Sequence, residues 1–167
     1  MPFAESDTQG QVRFKAFLEE LRTLGWTDGR HVRIDTRWNV SNPAEVRKHA
    51  AELVALAPDV ILAHTTPVAE ALHQETGKIP IVFVIVPDPI ESRFVASLAR
   101  PGGNFTGVMQ NEAGIVGKWL AMLKEISPRI ARVGLIANQK TTAYDYFVRS
   151  AQSMADSHAI ALTARAC

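Results

Sequence analysis

The strongest constraint in this sequence is a run of six apolar residues, Ile81–Val86, that stands between Pro80 and Pro87. All six are β-branched or aromatic, and no polar residue alternates with them. This composition is typical of a strand that helices cover on both faces of a parallel sheet. Asp88 and Pro89 follow, a capping residue and a residue that favours a first helical turn. The sequence therefore predicts that Asp88 stands near the carboxyl end of a buried strand.

That position makes Asp88 a candidate ligand-binding residue, because open α/β sheets bind their ligands outside the carboxyl ends of the strands. A carboxylate there can accept hydrogen bonds from a ligand ammonium group. It can equally do no more than cap the helix that Pro89 begins. The sequence leaves both interpretations open.

Composition limits the function classes. A chain of 167 residues can bury one good core, or one domain and part of another. A net charge of +1 gives no electrostatic argument for nucleic acid or an anionic membrane. Cys167 is the only cysteine, which excludes a disulfide framework and gives no metal-ligand cluster. No apolar run approaches the roughly 18–20 residues that span a bilayer.

Apolar spacing and capping residues predict alternating helices and strands. Asp7 or Thr8 caps the first predicted helix, and Gly25 ends it. Two further helices begin at Asn42-Pro43 and at Thr66-Pro67. A short helix is predicted around Phe94–Leu98, and two more cover 114–126 and 141–157. The predicted strands cover 32–38, 60–63, 81–86, 132–138 and 160–164, the first being half-exposed near a sheet edge. Short connections between such elements indicate a parallel α/β sheet with right-handed crossovers.

The segment around the apolar run also resembles a known family. Its order is strand, Asp88-Pro89, FVASLA and RPGGNFTG, and three further stretches match in the same order: Leu24–Arg30, Ala51–Ile61 and Gly117–Leu120. Together they resemble the substrate-binding proteins of ABC transporters, in particular the tryptophan/tyrosine-type, branched-chain amino-acid-binding-like subfamily. The matches span nearly the whole chain.

The resemblance implies a type I periplasmic-binding-protein fold, an α/β architecture with helices on both faces of a parallel sheet and an incomplete second lobe. The expected organisation is an N-terminal lobe over 1–108, a crossing and helix over 109–131, and the start of a C-terminal lobe over 132–167. Family members are exported to the periplasm, yet this chain shows no signal peptide. We therefore expect a fragment or a misplaced start, with a truncated first strand and possible dimerisation through unfinished sheet edges.

The function that the resemblance implies is capture of a small solute between two lobes and its delivery to a membrane permease, with no cofactor and no catalysis. His64-Thr65-Thr66-Pro67 follows a strand and opens a helix, so its hydroxyls and free amides could cradle a carboxylate. Plain capping by Thr66 is the alternative. The family takes ligand contacts from this loop, where His64 departs from the expected small or polar residue.

Three more residues complete the predicted site. Ser6 follows the first strand and also suits a cap, Asn138 ends a second-lobe strand, and Tyr144 lies in the first turns of a second-lobe helix, where an aromatic ring could meet a ligand. We expect Ser6, Thr65, Thr66 and Asp88 on one side of a cleft, with Asn138 and Tyr144 opposite. A carboxylate cradle, an ammonium acceptor and an aromatic ring together favour an amino acid or a similar zwitterion.

Two other function classes stay open. One is the ligand-sensing domain of a regulator with the same fold, and the other is a flavodoxin-like α/β enzyme. The sequence has no nucleophile elbow, no H-E-x-x-H and no phosphate loop. Pro101-Gly102-Gly103-Asn104 is not a dinucleotide fingerprint and predicts a tight turn with positive φ.

Overall fold

The computed structural model describes residues 5–38, 42–109, 114–137 and 144–166. Helices and strands alternate along the chain. In order they are α1 (Thr8–Thr23), α2 (Pro43–Ala55), β1 (Ile61–His64), α3 (Thr66–Glu75), β2 (Ile81–Val84), β3 (Phe105–Val108), α4 (Ile115–Ile126), β4 (Arg132–Ala137), α5 (Tyr144–Ser157) and β5 (Ala161–Ala166). No helix in the described ranges is long and apolar enough to cross a membrane.

The strands form two parallel sheets. One has the order β1-β2-β3, with Ile61 opposite Ile81 and Ile81 opposite Phe105. The other pairs β4 with β5, so that Arg132 lies opposite Ala161. The predicted α/β class with parallel sheets is confirmed. The expected first strand includes Met1–Ala4, which lie outside the described residues.

Contacts between residues divide the chain into two compact units. The first contains Met1–Val86 and Ser92–Val108, and the second contains Pro87–Glu91 and Met109–Cys167. The backbone therefore passes from the first unit to the second, back again, and to the second once more. The lobe boundaries inferred from the sequence stay a prediction.

Each unit has its own apolar core. In the first unit Ile81, Phe83 and Phe105 are almost fully buried, and the rings of Phe94 and Phe105 stack with centroids 5.1 Å apart. In the second unit Leu120, Ala155 and Ile160 are buried together. In β2, Ile81 and Phe83 are almost fully buried, whereas Val82 and Val84 on the other face of the sheet are half-buried. The burial of both sheet faces that the apolar run predicts is therefore observed only in part.

The helix starts follow the predicted capping chemistry. The carboxylate of Asp7 accepts a hydrogen bond from the amide of Gly10 at 2.7 Å, and the side chain of Asn42 accepts one from Ala44 at 2.9 Å. These side chains satisfy amides that the first helical turn leaves without intrahelical partners. Gly25 has a φ of 90°, as expected after the end of α1.

The strand predicted over 32–38 is wrong. Only an isolated bridge joins Asp28 to Val32, and the following residues form no ladder with any described residue. Exposure still alternates along the segment, with Arg33 exposed and Ile34 half-buried. The backbone has a competing partner, because the amide of Ile34 donates to the carboxylate of Asp28 at 2.9 Å. Alternation alone does not supply the neighbouring strand that a ladder needs.

The short helix predicted around Phe94–Leu98 is also wrong, and the strand before it is shorter than expected. β2 ends at Val84 because Ile85 has a φ of 58°. Arg93 has a φ of 59°, and the hydroxyl of Ser97 accepts from the amide of Arg100 at 3.0 Å. Left-handed backbone and local side-chain hydrogen bonding replace the expected helical turn.

Candidate functional site

The loop between β1 and α3 holds two of the predicted site residues. Thr65 comes directly after β1, and Thr66 is the first residue of α3. The amide of Thr65 donates to the carbonyl oxygen of Val84 at 2.9 Å, while its own carbonyl accepts from Ala69 at 3.1 Å. The loop is therefore fixed to the end of β2 on one side and to the first turn of α3 on the other.

The structure shows no side-chain capping hydrogen bond at the start of α3, which was the alternative role for this loop. Thr65 occupies the N-cap position of α3 with φ 81° and ψ 157°, and neither its hydroxyl nor another side chain makes a capping hydrogen bond. A threonine at this φ is strained by about 1–3 kcal/mol, and such strain concentrates at ligand sites. The first-turn amides of α3 thus have no side-chain cap, which is the state that an anionic ligand group would use.

His64 precedes this loop and is buried, with 8% of its surface exposed. Burial, helped by the positive charge of Arg13, lowers the pKa of its imidazole from 6.5 to about 4. The ring is consequently neutral at pH 7 and adds no cation to the loop. A narrowing of the pocket by His64 stays a prediction.

Asp88 does act as a cap, although of a turn and not of a helix. Its Oδ1 accepts hydrogen bonds from the amides of Ile90 at 3.1 Å and Glu91 at 2.9 Å. The side chain is half-buried, and Oδ2 has no hydrogen bond to any described residue. The capping interpretation is therefore observed, and binding of a ligand ammonium group by the remaining oxygen stays a prediction.

Ser6 is exposed just before the capping residue Asp7. It lies on an open groove of about 900 Å³ within the first unit, which is lined by Glu5, Ser6, Ile34, Thr36, Arg37, Trp38 and His49. The guanidinium of Arg37 on this groove is held by Glu52 at 3.0 Å. The pKa of Glu52 is lowered chiefly by that hydrogen bond.

The remaining predicted residues belong to the second unit. Tyr144 is the first residue of α5, and Asn138 lies outside the described residues. Asp88 is also grouped with the second unit, whereas Ser6, Thr65 and Thr66 belong to the first. The structure thus brings Thr65 and Thr66 together in one loop and places Asp88 and Tyr144 in the other unit.

Sequence reasoning missed two contributions to these loops. The side-chain amide of Asn104 donates to the carbonyl oxygen of Ile79 at 2.8 Å, which fixes the entry to β2. Glu91 forms an ion pair with Arg149 of α5. The Arg-Pro-Gly-Gly-Asn turn was a sequence signal for the role of Asn104. Glu91 and Arg149 are 58 positions apart, so no local pattern indicates their contact. Among the described residues, no three His, Cys, Asp or Glu side chains are grouped to hold a metal ion.

Comparisons with known proteins agree on one family. A sequence model described as ABC transporter substrate binding protein matches residues 4–166. A protein named tyrosine-binding protein, from Clostridioides difficile strain R20291, is 32% identical over 124 residues, which are 74% of this chain and 35% of that protein.

Solved structures share the fold. A conserved domain protein from Vibrio cholerae O1 biovar El Tor is 29% identical, with a TM-score of 0.81 over 92% of this chain and 51% of that one. An ABC domain from Streptococcus pneumonia, solved in complex with L-Trp, is 23% identical, with a TM-score of 0.83 over 99% of this chain and 55% of that one. The chain thus spans about half the length of these structures and 35% of its curated relative.

Proposed function

The chain belongs to the ABC transporter substrate binding protein family, and we propose that it captures a small amino-acid-like solute for an ABC import system. The observation that carries this proposal is the loop at Thr65 and Thr66. It stands at the carboxyl end of β1, and its helix has no side-chain cap. Open α/β sheets bind ligands at this end of their strands.

The loop suits a carboxylate. The first turn of α3 offers the backbone amides of Thr66 and Val68, since Pro67 has no N–H, and the helix dipole adds a partial positive charge there. No acidic residue lies in that first turn to compete for the same amides. The neutral ring of His64 contributes no charge, so the backbone and the two hydroxyls would hold the carboxylate.

Asp88 suits the ammonium group of the same solute. Its Oδ1 is engaged by the amides of Ile90 and Glu91, which orient the carboxylate. Its Oδ2 would then accept from the ammonium group, and Tyr144 at the start of α5 would meet the apolar side chain. Ser6 and Asn138 would complete the contacts.

The proposed mechanism is closure of two lobes around the solute. A ligand that contacts both lobes stabilises the closed state by its additional contacts there. The closed protein would present the solute to a membrane permease outside the cytoplasm, in the periplasm. An aromatic amino acid is the first solute to test, since the relative from Clostridioides difficile is named for tyrosine binding. No second function is favoured by any described residue.

Isothermal titration calorimetry with L-tyrosine tests the proposal. Tyramine lacks the carboxylate and 3-(4-hydroxyphenyl)propionate lacks the ammonium group, so each should bind more weakly than L-tyrosine. Loss of one hydrogen bond to a charged group costs about 1.5–3 kcal/mol, or roughly tenfold to a hundredfold in affinity. We expect that loss for Thr65→Ala and for Asp88→Ala.

One result would contradict the proposal, and a second would remove Asp88 from the proposed contacts. Binding of a neutral or purely anionic solute with no heat from any amino acid would exclude the zwitterion. Unchanged affinity in Asp88→Ala would reduce Asp88 to a turn cap. Exposed Thr8→Ala, which lies outside the proposed contacts, is the matched control for loss of a threonine hydroxyl.

A further inference from the structure

The segment Pro87–Glu91, here called the excursion loop, leaves the first unit and belongs by its contacts to the second. Two residues with left-handed backbone flank it, Ile85 with a φ of 58° and Arg93 with a φ of 59°. A β-branched residue such as Ile85 is rarely found at positive φ and is strained there. The interactions that hold the excursion loop must therefore offset the cost of its flanks.

Hydrogen bonds and a buried proline stabilise the excursion loop. The side chain of Pro89 is among the few that are fully buried, and Oδ1 of Asp88 accepts from the amides of Ile90 and Glu91. These contacts define the shape of the turn. The hydrogen bonds of Asp88 act within the loop, whereas the burial of Pro89 packs the loop against neighbouring residues.

An ion pair also joins the excursion loop to α5. The carboxylate of Glu91 contacts the guanidinium of Arg149, which lies on α5. Both side chains are partly exposed, Glu91 by 50% and Arg149 by 63%. Among the described ion pairs, this one joins the loop that carries Asp88 to the helix that begins at Tyr144.

We propose that Glu91 and Arg149 are positioning residues for the solute site. Their ion pair holds the excursion loop on α5 and thereby sets the position of the Asp88 carboxylate relative to the start of that helix. This inference rests on the proposed function, because it assigns the pair a role in solute affinity. Neither residue touches the solute, and the pair acts through Asp88.

Hydrogen exchange measured by mass spectrometry, together with calorimetry, tests the proposal on the 167-residue chain. Glu91→Gln and Arg149→Gln should each speed exchange at the backbone amides of positions 90 and 91. They should also weaken binding of L-tyrosine by about twofold to fivefold, the range for an exposed ion pair. Arg149→Lys keeps the charge and should recover most of the affinity.

The matched control is Arg129→Gln, which removes an exposed cation of the second unit. It should change neither the exchange of the loop nor the affinity. In 0.5 M salt, which is about three times physiological ionic strength, the difference between wild type and Arg149→Gln should shrink, because salt screens exposed charges.

The outcomes separate the two claims. Unchanged exchange in both Gln variants would overturn the fastening of the loop. Faster exchange with unchanged affinity would overturn the positioning role. Faster exchange in a chain whose wild type does not bind L-tyrosine would contradict the proposed function, yet would support the hold of the ion pair on the loop.

Discussion

The backbone amide of Thr65 donates a hydrogen bond to the carbonyl oxygen of Val84 at 2.9 Å, so the residue after β1 is fastened to the last residue of β2. This bond extends the parallel ladder by one residue past the end of β1. It also holds Thr65 in a backbone conformation that threonine rarely adopts. The candidate carboxylate loop is therefore strained and fixed at the same time.

The strain at Thr65 gives a stability prediction. Glycine populates positive φ at no steric cost, so Thr65→Gly should have a free energy of unfolding about 1 kcal/mol higher than that of Thr65→Ala. Thr66→Gly, one residue on and inside α3, should instead lose about 0.5–1 kcal/mol against Thr66→Ala. Urea denaturation measures all four variants. Equal stability of Thr65→Gly and Thr65→Ala would show that the loop is unstrained.

Local signals predicted the parts of the fold that depend on short stretches of sequence. The apolar run of β2 and the caps at Asp7 and Asn42 are such parts, since each acts on residues within a few positions. The strand predicted over 32–38 does not form, because a strand also needs a partner backbone. The alternation of polar and apolar residues in that segment gives no sign that the amide of Ile34 donates a hydrogen bond to the carboxylate of Asp28.

In the candidate site, too, local patterns predicted some residues, whereas a tertiary contact could not be predicted. Thr65, Thr66 and Asp88 follow β1 and β2, and this order could be derived from the pattern of apolar runs. Whether these residues bind a solute stays a prediction. The contact of Arg149 with Glu91 could not be predicted, because it depends on tertiary structure and no sequence pattern indicates it.

His64 gives a pH prediction. Burial holds its folded pKa near 4, while an unfolded histidine titrates near 6.5. Between these values the unfolded state binds a proton that the folded state does not, so the free energy of unfolding falls as pH falls from about 6.5 to 4. The expected loss is about 1–3 kcal/mol.

His64→Gln should remove this part of the pH dependence, whereas the exposed His31→Gln should leave it in place. Thermal or urea unfolding followed from pH 7 to pH 4 measures the slope for each variant. A wild-type stability that stays level down to pH 4.5 would show that the imidazole of His64 is not buried in solution.

Gly107 gives a packing prediction. A Cβ at this position would overlap the carbonyl oxygen of Phe83 on the neighbouring strand and lie 2.6 Å from the Phe83 ring. Gly107→Ala should therefore lower the free energy of unfolding by about 2 kcal/mol or more, because backbone in the sheet must shift. Gly103→Ala, where the space is open, is the control and should change it by less than about 1 kcal/mol. Tolerance of Gly107→Ala would contradict the register of β2 with β3.

The sheet edges give a prediction of self-association. Ile136 on β4 is 74% exposed, and Val108 at the end of β3 is 67% exposed. Edge strands with exposed apolar residues favour pairing with another chain, so we expect dimers that dissociate on dilution. Light scattering during size-exclusion chromatography should show Ile136→Lys shifted towards monomer and Val12→Lys on α1 unchanged. A monomer at every concentration would contradict this expectation.

Solute capture by the Thr65-Thr66 loop is the central claim, and amide chemical-shift mapping with ¹⁵N-labelled chain tests it most directly. Addition of L-tyrosine should shift the amides of Thr65 and Thr66 in a saturable manner, with Ile90 and Glu91 following through Asp88. 3-(4-Hydroxyphenyl)propionate should shift the threonine amides only, since it has no ammonium group. Saturable shifts by L-tyrosine that leave Thr65, Thr66 and their neighbours unmoved would contradict the account.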